Sequence, residues 1–187
     1  MAILQIAIGA YLVWHALQWV QYARRRMRGD PGFNQPRVAV LCPCKGMEPG
    51  LERNLVALTE FDYRNYELFF ILASSSDPAY STVKRVADHS KVPAHIVIAE
   101  RPEGCGEKVN NLRVAIEQLP AEFEVLAFVD SDGRPGKLWL RRLVTTLSDK
   151  KVGAATTMRW LIPNGHNFAT ALLAVWNASI VTMLSEK

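Results

Sequence analysis

Two aspartates one residue apart, Asp130-Ser131-Asp132, directly follow the apolar run Val125-Leu-Ala-Phe-Val129. A run of that length and type reads as a buried strand, so both carboxylates emerge together where the backbone leaves the sheet. Each would suffer from the other's charge unless a proton or a cation compensates. A divalent ion does this, because Mg²⁺ or Mn²⁺ held by one or two carboxylates keeps positions open for waters and substrate phosphates. The competing reading of an Asp-x-Asp pair is a solvated turn.

A second polar cluster, Gly104-Cys105-Gly106-Glu107-Lys108, invites comparison with a phosphate loop, but Val109 stands where a Ser or Thr would follow the lysine and the first glycine is misplaced. Lys108 is then either a group that opens a helix beside a diphosphate or a solvated lysine at a helix start. The dinucleotide fingerprint of three spaced glycines is absent after the first strand, where Pro43-Cys44-Lys45-Gly46-Met47-Glu48 stands, and this disfavours a nicotinamide dehydrogenase. Cys42, Cys44 and Cys105 fit neither a disulfide framework nor a zinc ribbon and read as reduced thiols of a cytosolic compartment. His15, His89, His95 and His166 lack the spacing that brings two rings to one metal.

The elements that must carry these groups alternate. Predicted strands cover 37–42, 66–73, 94–99, 125–129 and 152–157, and predicted helices cover 51–61, 79–89, 109–119 and 138–147. Strands separated by helices of this length imply right-handed crossovers and a mainly parallel sheet, an α/β fold with a Rossmann-like order of elements. Ligands bind such sheets at the carboxyl ends of the strands, near a topological switch point. Lys45 and Glu48, Ser76 and Asp77, Lys108, and Asp130 with Asp132 all follow strands, so polar and acidic groups gather on that edge.

The 187 residues are 49% apolar and 21% charged, enough for one ordinary domain with a real core and unlike a disordered or fibrous chain. The net charge of +4 is concentrated in Arg24-Arg25-Arg26 and Arg28 rather than spread along a groove with aromatic platforms, so nucleic acid is not an expected partner. Before that cluster, Ile3 to Tyr22 is predominantly apolar, with Gln5, His15, Gln18 and Gln21 as interruptions. Roughly 20 helical residues cross a bilayer core, and the following arginines favour the cytoplasmic side. The expectation is a transmembrane helix over 1–23, a basic connector over 24–36 and a cytoplasmic domain over 37–187, with a helix lying on the membrane surface as the other reading. A cleaved signal peptide has the reverse charge order.

The ordered set Val38-Ala-Val-Leu-Cys-Pro-Cys-Lys45-Gly46-Met-Glu48, Ser74-Ser-Ser-Asp77-Pro78, Glu107-Lys108-Val-Asn110-Asn111-Leu112 and Val129-Asp130-Ser-Asp132-Gly133 resembles the nucleotide-binding half of family 2-like glycosyltransferases of GT-A fold. Within them it resembles the ceramide glucosyltransferase branch, family 21, and its bacterial relatives, including those associated with hopanoid synthesis. The resemblance covers nearly the whole chain and includes the N-terminal helix, which would anchor the protein in a bacterial inner membrane. It implies a transferase that moves a hexose from a UDP-sugar to a lipid acceptor, ceramide-like or other, with inversion and with Mn²⁺ or Mg²⁺ as cofactor. Asp77 would contact the uracil or ribose, and Lys45 and Glu48 would line the nucleotide pocket. Lys108 and Asn111 would hold nucleotide or sugar, Asp130 would serve the sugar-nucleotide site, and Asp132 with Asp130 would carry the metal.

That family's acceptor base and its (Q/R)-x-x-R-W element are expected on a segment later than Lys187, and Arg159-Trp160 lies too early to be that element. The chain therefore reads as the donor-binding half, inactive alone. A sugar nucleotidyltransferase would want a glycine- and arginine-rich loop after the first strand, which Pro43 to Gly46 does not supply. A membrane-tethered, non-catalytic nucleotide-sugar-binding module is the alternative. The stretch Phe168 to Leu184 is apolar but short for a span, and Asn177-Ala-Ser179 lies in a helical pattern where a glycosylation sequon has no meaning.

Overall fold

In the computed structural model the described residues are 2–28, 35–100, 102, 104–157 and 167–181. They fall into two compact units, residues 31–155 and residues 1–30 with 156–187.

The larger unit is built on a four-stranded sheet of β1 (Val38–Pro43), β2 (Tyr66–Leu72), β3 (Ala94–Ile98) and β4 (Val125–Phe128), in the order β3-β2-β1-β4. All three pairings are parallel. β1 is buried on both faces, which is why it reads as an unbroken apolar run rather than an alternating one. Between the strands run α2 (Leu51–Leu58), α3 (Tyr80–Asp88) and α4 (Glu107–Glu117), and α5 (Trp139–Thr146) follows β4. Val40, Cys42, Leu68 and Phe70 on one sheet face share a core with Leu55, Val83 and Leu140 of α2, α3 and α5. Ala39, Leu41, Phe69 and Ile71 on the other face share one with Ala115 and Leu112 of α4. The sheet is thus covered on both sides, as parallel strands require.

The four predicted strands and the helices between them agree with these elements to within a few residues, except at one place. The expected fifth strand over 152–157 is absent: Val152 to Thr157 adopts a bend and irregular backbone. Gly153 and two alanines leave Val152 as the one β-branched residue before Thr156, too little side chain to hold an edge strand.

The smaller unit contains α1 (Ala2–Arg28) and α6 (Phe168–Val181). The predicted N-terminal helix exists and continues to Arg28, but a span is not found in it. Among the described residues no helix is long and apolar enough to cross a membrane. Exposed apolar side chains are nevertheless numerous on both helices, among them Ile3, Ile6, Tyr11 and Trp14 on α1 and Leu172 and Trp176 on α6. α6 has 14 residues, about 21 Å at 1.5 Å per residue, short of the bilayer core as expected. Arg159-Trp160 lies outside the described residues, and Asn177 of the sequon is helical.

At the start of the strands, Arg37 forms an ion pair with Glu67 and lies 2.6 Å from Glu122, while Nε2 of His95 lies 2.7 Å from Oε2 of Glu67. The imidazole stacks on Phe69 with ring centroids 4.7 Å apart. Burial pushes the Glu67 carboxyl up, but hydrogen bonds from Arg37 and His95 together hold it below the ordinary glutamate value. A depressed folded value means stability that is fully present above the unfolded value, about 4.3, and lost as pH falls through the folded one. Acid titration should therefore destabilise the parent chain more steeply than Glu67→Gln, measured as urea midpoints at successive pH values below about 4.3.

Candidate functional site

The chain leaves β1 toward β2 on one side and reaches β4 on the other, so the switch point lies between β1 and β4. A cleft of about 370 Å³ opens at the carboxyl ends of these two strands. Cys44, Lys45 and Glu48 line it from the exit of β1, Asp130, Ser131 and Asp132 from the exit of β4, and Glu107, Lys108 and Asn111 from the start of α4. Six of the seven residues singled out from the sequence thus meet around one cavity.

Local structure explains how each arrives there. The acidic turn closes through the Gly133 N–H donating to the Asp130 carbonyl at 3.0 Å. A Cβ at Gly133 would come within 3.2 Å of that oxygen, so glycine permits the close approach. Nδ2 of Asn54 on α2 donates to the Ser131 carbonyl at 3.1 Å and fixes the turn from the other side. On the opposite wall the Cys44 N–H donates to the Ile71 carbonyl at 2.8 Å, tying the loop after β1 to β2.

Two ion pairs span the cleft. Lys108 Nζ lies 2.5 Å from Oδ1 of Asp130, and Lys45 Nζ lies 3.0 Å from Oε2 of Glu107. Both are well exposed, so their importance is placement of charge rather than stability. Below them the thiols of Cys42 and Cys44 are 3.9 Å apart and buried. The hydrogen bond that the Cys42 thiol donates to the Cys44 sulfur, together with burial, pushes the Cys42 thiol well above its ordinary value, which makes it unreactive. Cys42, Cys44 and Cys105 are all free.

Asp77 is the seventh residue, and it does not line the cleft. Its Oδ1 accepts the backbone N–H of Gly46 and of Ala79, each at 2.8 Å. Gly46 has φ +62°, a left-handed conformation that glycine adopts without strain. Asp77 thereby clamps the turn that presents Lys45 and also opens α3. Asp77→Ala should cost about 1.5–3 kcal/mol, the value of hydrogen bonds to a charged acceptor, and weaken any ligand held by Lys45. Thermal melting read beside ligand titration checks both effects.

Glu107 and Gly133 stand in the segments read from the sequence but carried no role there, and Asn54 was not legible as a site residue. Glu107 sits beside Lys108 and carries the usual signature of an acidic first helical turn, and Asn54 is a polar residue inside an apolar helix with no motif around it.

A family model described as glycosyl transferase family 21 matches residues 1–182. Ceramide glucosyltransferase 3 of Caenorhabditis elegans is 29% identical over 126 residues, which are 65% of this chain and 26% of that protein. Among solved structures, the mannosyltransferase PcManGT from Pyrobaculum calidifontis in complex with GDP-Man and Mn²⁺ is similar with a TM-score of 0.56 at 26% identity, covering 79% of this chain and 44% of its own. S. aureus TarS 1-349 shares the fold, with a TM-score of 0.50 at 20% identity over 67% of this chain and 39% of that one. The chain spans about a quarter of the curated relative and under half of each solved one. These neighbours agree with the α/β parallel sheet expected from the residues and with the GT-A architecture that the family resemblance implies.

Proposed function

The chain belongs to glycosyl transferase family 21, and from that premise we propose that it binds the nucleotide-sugar donor of an enzyme that transfers a hexose from a UDP-sugar to a lipid hydroxyl. The observation that carries the reading is the meeting of Lys45, Glu48, Lys108, Asn111, Asp130 and Asp132 around one cleft at the switch point of the sheet. The similarity to a ceramide glucosyltransferase supports the lipid acceptor.

The donor set suits Mg²⁺ or Mn²⁺. Asp130 and Asp132 offer hard oxygen ligands from one turn, and the ammonium of Lys108 against Asp130 already brings positive charge there. Among the described residues no group of three or more His, Cys, Asp or Glu side chains gathers to hold a metal. Two carboxylates completed by water and diphosphate oxygens is the arrangement Mg²⁺ favours. A similar mannosyltransferase carries Mn²⁺ beside its GDP-Man. When bound, the ion would supply Lewis-acid stabilisation of the charge that develops on departing UDP.

The protein's own groups do the rest. Lys45 and Lys108 exchange their carboxylate partners for phosphate oxygens, which puts two preorganised cations where negative charge grows. Asp77 holds the Gly46 turn so that Lys45 meets the diphosphate without reorganising. In the whole enzyme, attack of the lipid hydroxyl on the anomeric carbon from the face opposite UDP would invert that centre, with a carboxylate base outside this donor cleft taking the hydroxyl proton. The exposed apolar residues of α1 beside its arginines support a seat on the membrane surface, where a lipid acceptor is presented.

Titrating UDP into the purified chain tests the reading. Calorimetry should give binding with Mn²⁺ present that weakens at least tenfold, about 1.4 kcal/mol, when the metal is removed. Equal binding with and without metal would overturn the metal-assisted reading, and no binding in either condition would overturn the donor site.

A further inference from the structure

We infer that α6 is a hydrocarbon-facing helix, lying along a bilayer with Phe168, Leu172, Val175 and Trp176 turned into the acyl region and its other side kept against the protein. This surface serves the lipid side of the reading above and involves no residue of the donor cleft, so the two stand or fall separately.

A helix on the surface of a water-soluble domain turns its apolar stripe inward and its polar residues outward. α6 does the reverse. Phe168, Leu172, Val175 and Trp176 recur at helical spacing along one side, with Leu173 on its flank, and all five are exposed, Phe168 by 80% and Trp176 by 72%. Thr170, Ala174 and Asn177, spaced in the same way on the opposite side, are the partly sheltered positions. The large apolar side chains therefore face outward and the small or polar ones inward. Exposed apolar residues are ordinary when scattered singly, whereas a contiguous stripe of them marks a surface that something covers.

Chemistry selects what covers it. From Asn167 to Ser185 the sequence has no Asp, Glu, Lys, Arg or His. On the outward stripe the one side-chain group able to form a hydrogen bond is the indole N–H of Trp176, and indoles settle where hydrocarbon meets headgroups. A protein partner would meet polar groups, since protein interfaces carry about one hydrogen bond per 100–200 Å². Hydrocarbon requires none. The start of the helix is also satisfied without charge: Oδ1 of Asn167 accepts the Ala169 N–H at 2.9 Å, and the Asn167 carbonyl accepts the Thr170 hydroxyl at 2.8 Å and the Ala171 N–H at 3.0 Å. A helix lying free on a membrane keeps a charged side for water, and α6 needs none because that side is sheltered. Being too short to cross the core, it carries its stripe along the bilayer rather than through it.

The test uses the full chain with phosphatidylcholine vesicles, whose zero net charge removes any pull on the arginines of α1. A nitroxide is attached at Leu172→Cys, and separately at Ala174→Cys, in a Cys105→Ser background, where the buried Cys42 and Cys44 stay unlabelled. On adding vesicles, the label at 172 should gain accessibility to oxygen and lose it to a water-soluble nickel chelate, while the label at 174 changes little. Leu172→Asp should weaken sedimentation with the same vesicles at least about tenfold, at low and high salt alike, because hydrocarbon rejects the new charge. Its helical circular dichroism and its UDP affinity with Mn²⁺ should match the parent, and if the dichroism falls the label decides alone. A label at 172 that stays open to the nickel chelate, undiminished sedimentation of Leu172→Asp, or a parent chain that does not sediment with vesicles overturns the inference. So does a label at 172 already immobilised without vesicles in a species of twice the monomer mass, since a second copy of the chain then covers the stripe. Each of these leaves the donor site standing, whereas absent UDP binding beside an oxygen-accessible label overturns the donor site alone.

Discussion

Asp132→Asn should leave the protein folded and remove the metal-dependent part of UDP binding. The substitution keeps size and one acceptor oxygen but deletes the charge, and a hard divalent cation loses most of its reason to stay. Outer partners of metal ligands typically cost ~10–100-fold in affinity when replaced, so a direct ligand should cost at least that much. The backbone of the turn is held by the Gly133 N–H on the Asp130 carbonyl and by Asn54 on the Ser131 carbonyl, bonds that the substitution does not touch. The melting temperature should accordingly move by no more than an exposed ion pair or hydrogen bond contributes, about 1 kcal/mol. Mn²⁺ titration followed by electron paramagnetic resonance, read beside thermal melting, separates the two effects. A fall in stability together with the loss of binding would make Asp132 a support of the turn rather than a ligand. Unchanged Mn²⁺ and UDP affinity would remove it from the site altogether.

What could be read in advance depended on whether the deciding interactions were local. β1 announces itself because a strand buried on both faces has no polar position to hide, and α2 because Leu51, Leu55 and Leu58 are its buried stripe. The acidic pair was legible because it follows directly on an apolar strand. The partner of Lys45 was not, since Glu107 is brought to it by the sheet order, which sets the loop after β1 against the start of α4. Asp77 is a different case: its place in a motif implies ligand contact, and the fold adds a structural task that the motif does not show, since its Oδ1 accepts two backbone N–H groups. Asn110 and Asn111 are the same letter twice, and only the packing of α4 makes one a strut and leaves the other unsatisfied. In the N-terminal helix the apolar run was plain, and it forms a helix, although no helix among the described residues is long and apolar enough to cross a membrane.

Phe70→Ala should produce the largest loss of stability, about 3–5 kcal/mol, against the ~5–15 kcal/mol that a domain of this kind possesses. Phe70 is fully buried in the middle of β2, in register with Cys42 of β1 and Ile96 of β3. It shares its core with Leu55 of α2 and Val83 of α3. Truncation would leave a cavity that two helices and the rigid sheet cannot close, so the lost transfer energy and the lost packing add. Its neighbour Phe69 points to the other face, is 8% exposed and stacks on the exposed ring of His95. Phe69→Ala should therefore cost less, because the ring of His95 and solvent can fill part of the space. Urea titrations of both variants should show lower midpoints at unchanged slope, with Phe70→Ala the more affected. The effect on ligand binding has its own signature. The loop that carries Lys45 hangs from β2 through the Cys44 N–H on the Ile71 carbonyl, so the cleft disappears only when the sheet does. UDP with Mn²⁺ should then raise the midpoint of Phe70→Ala by mass action, and cooling it into its folded range should restore normal affinity. Affinity that stayed low in fully folded Phe70→Ala would mean that the core sets the geometry of the cleft as well as its survival.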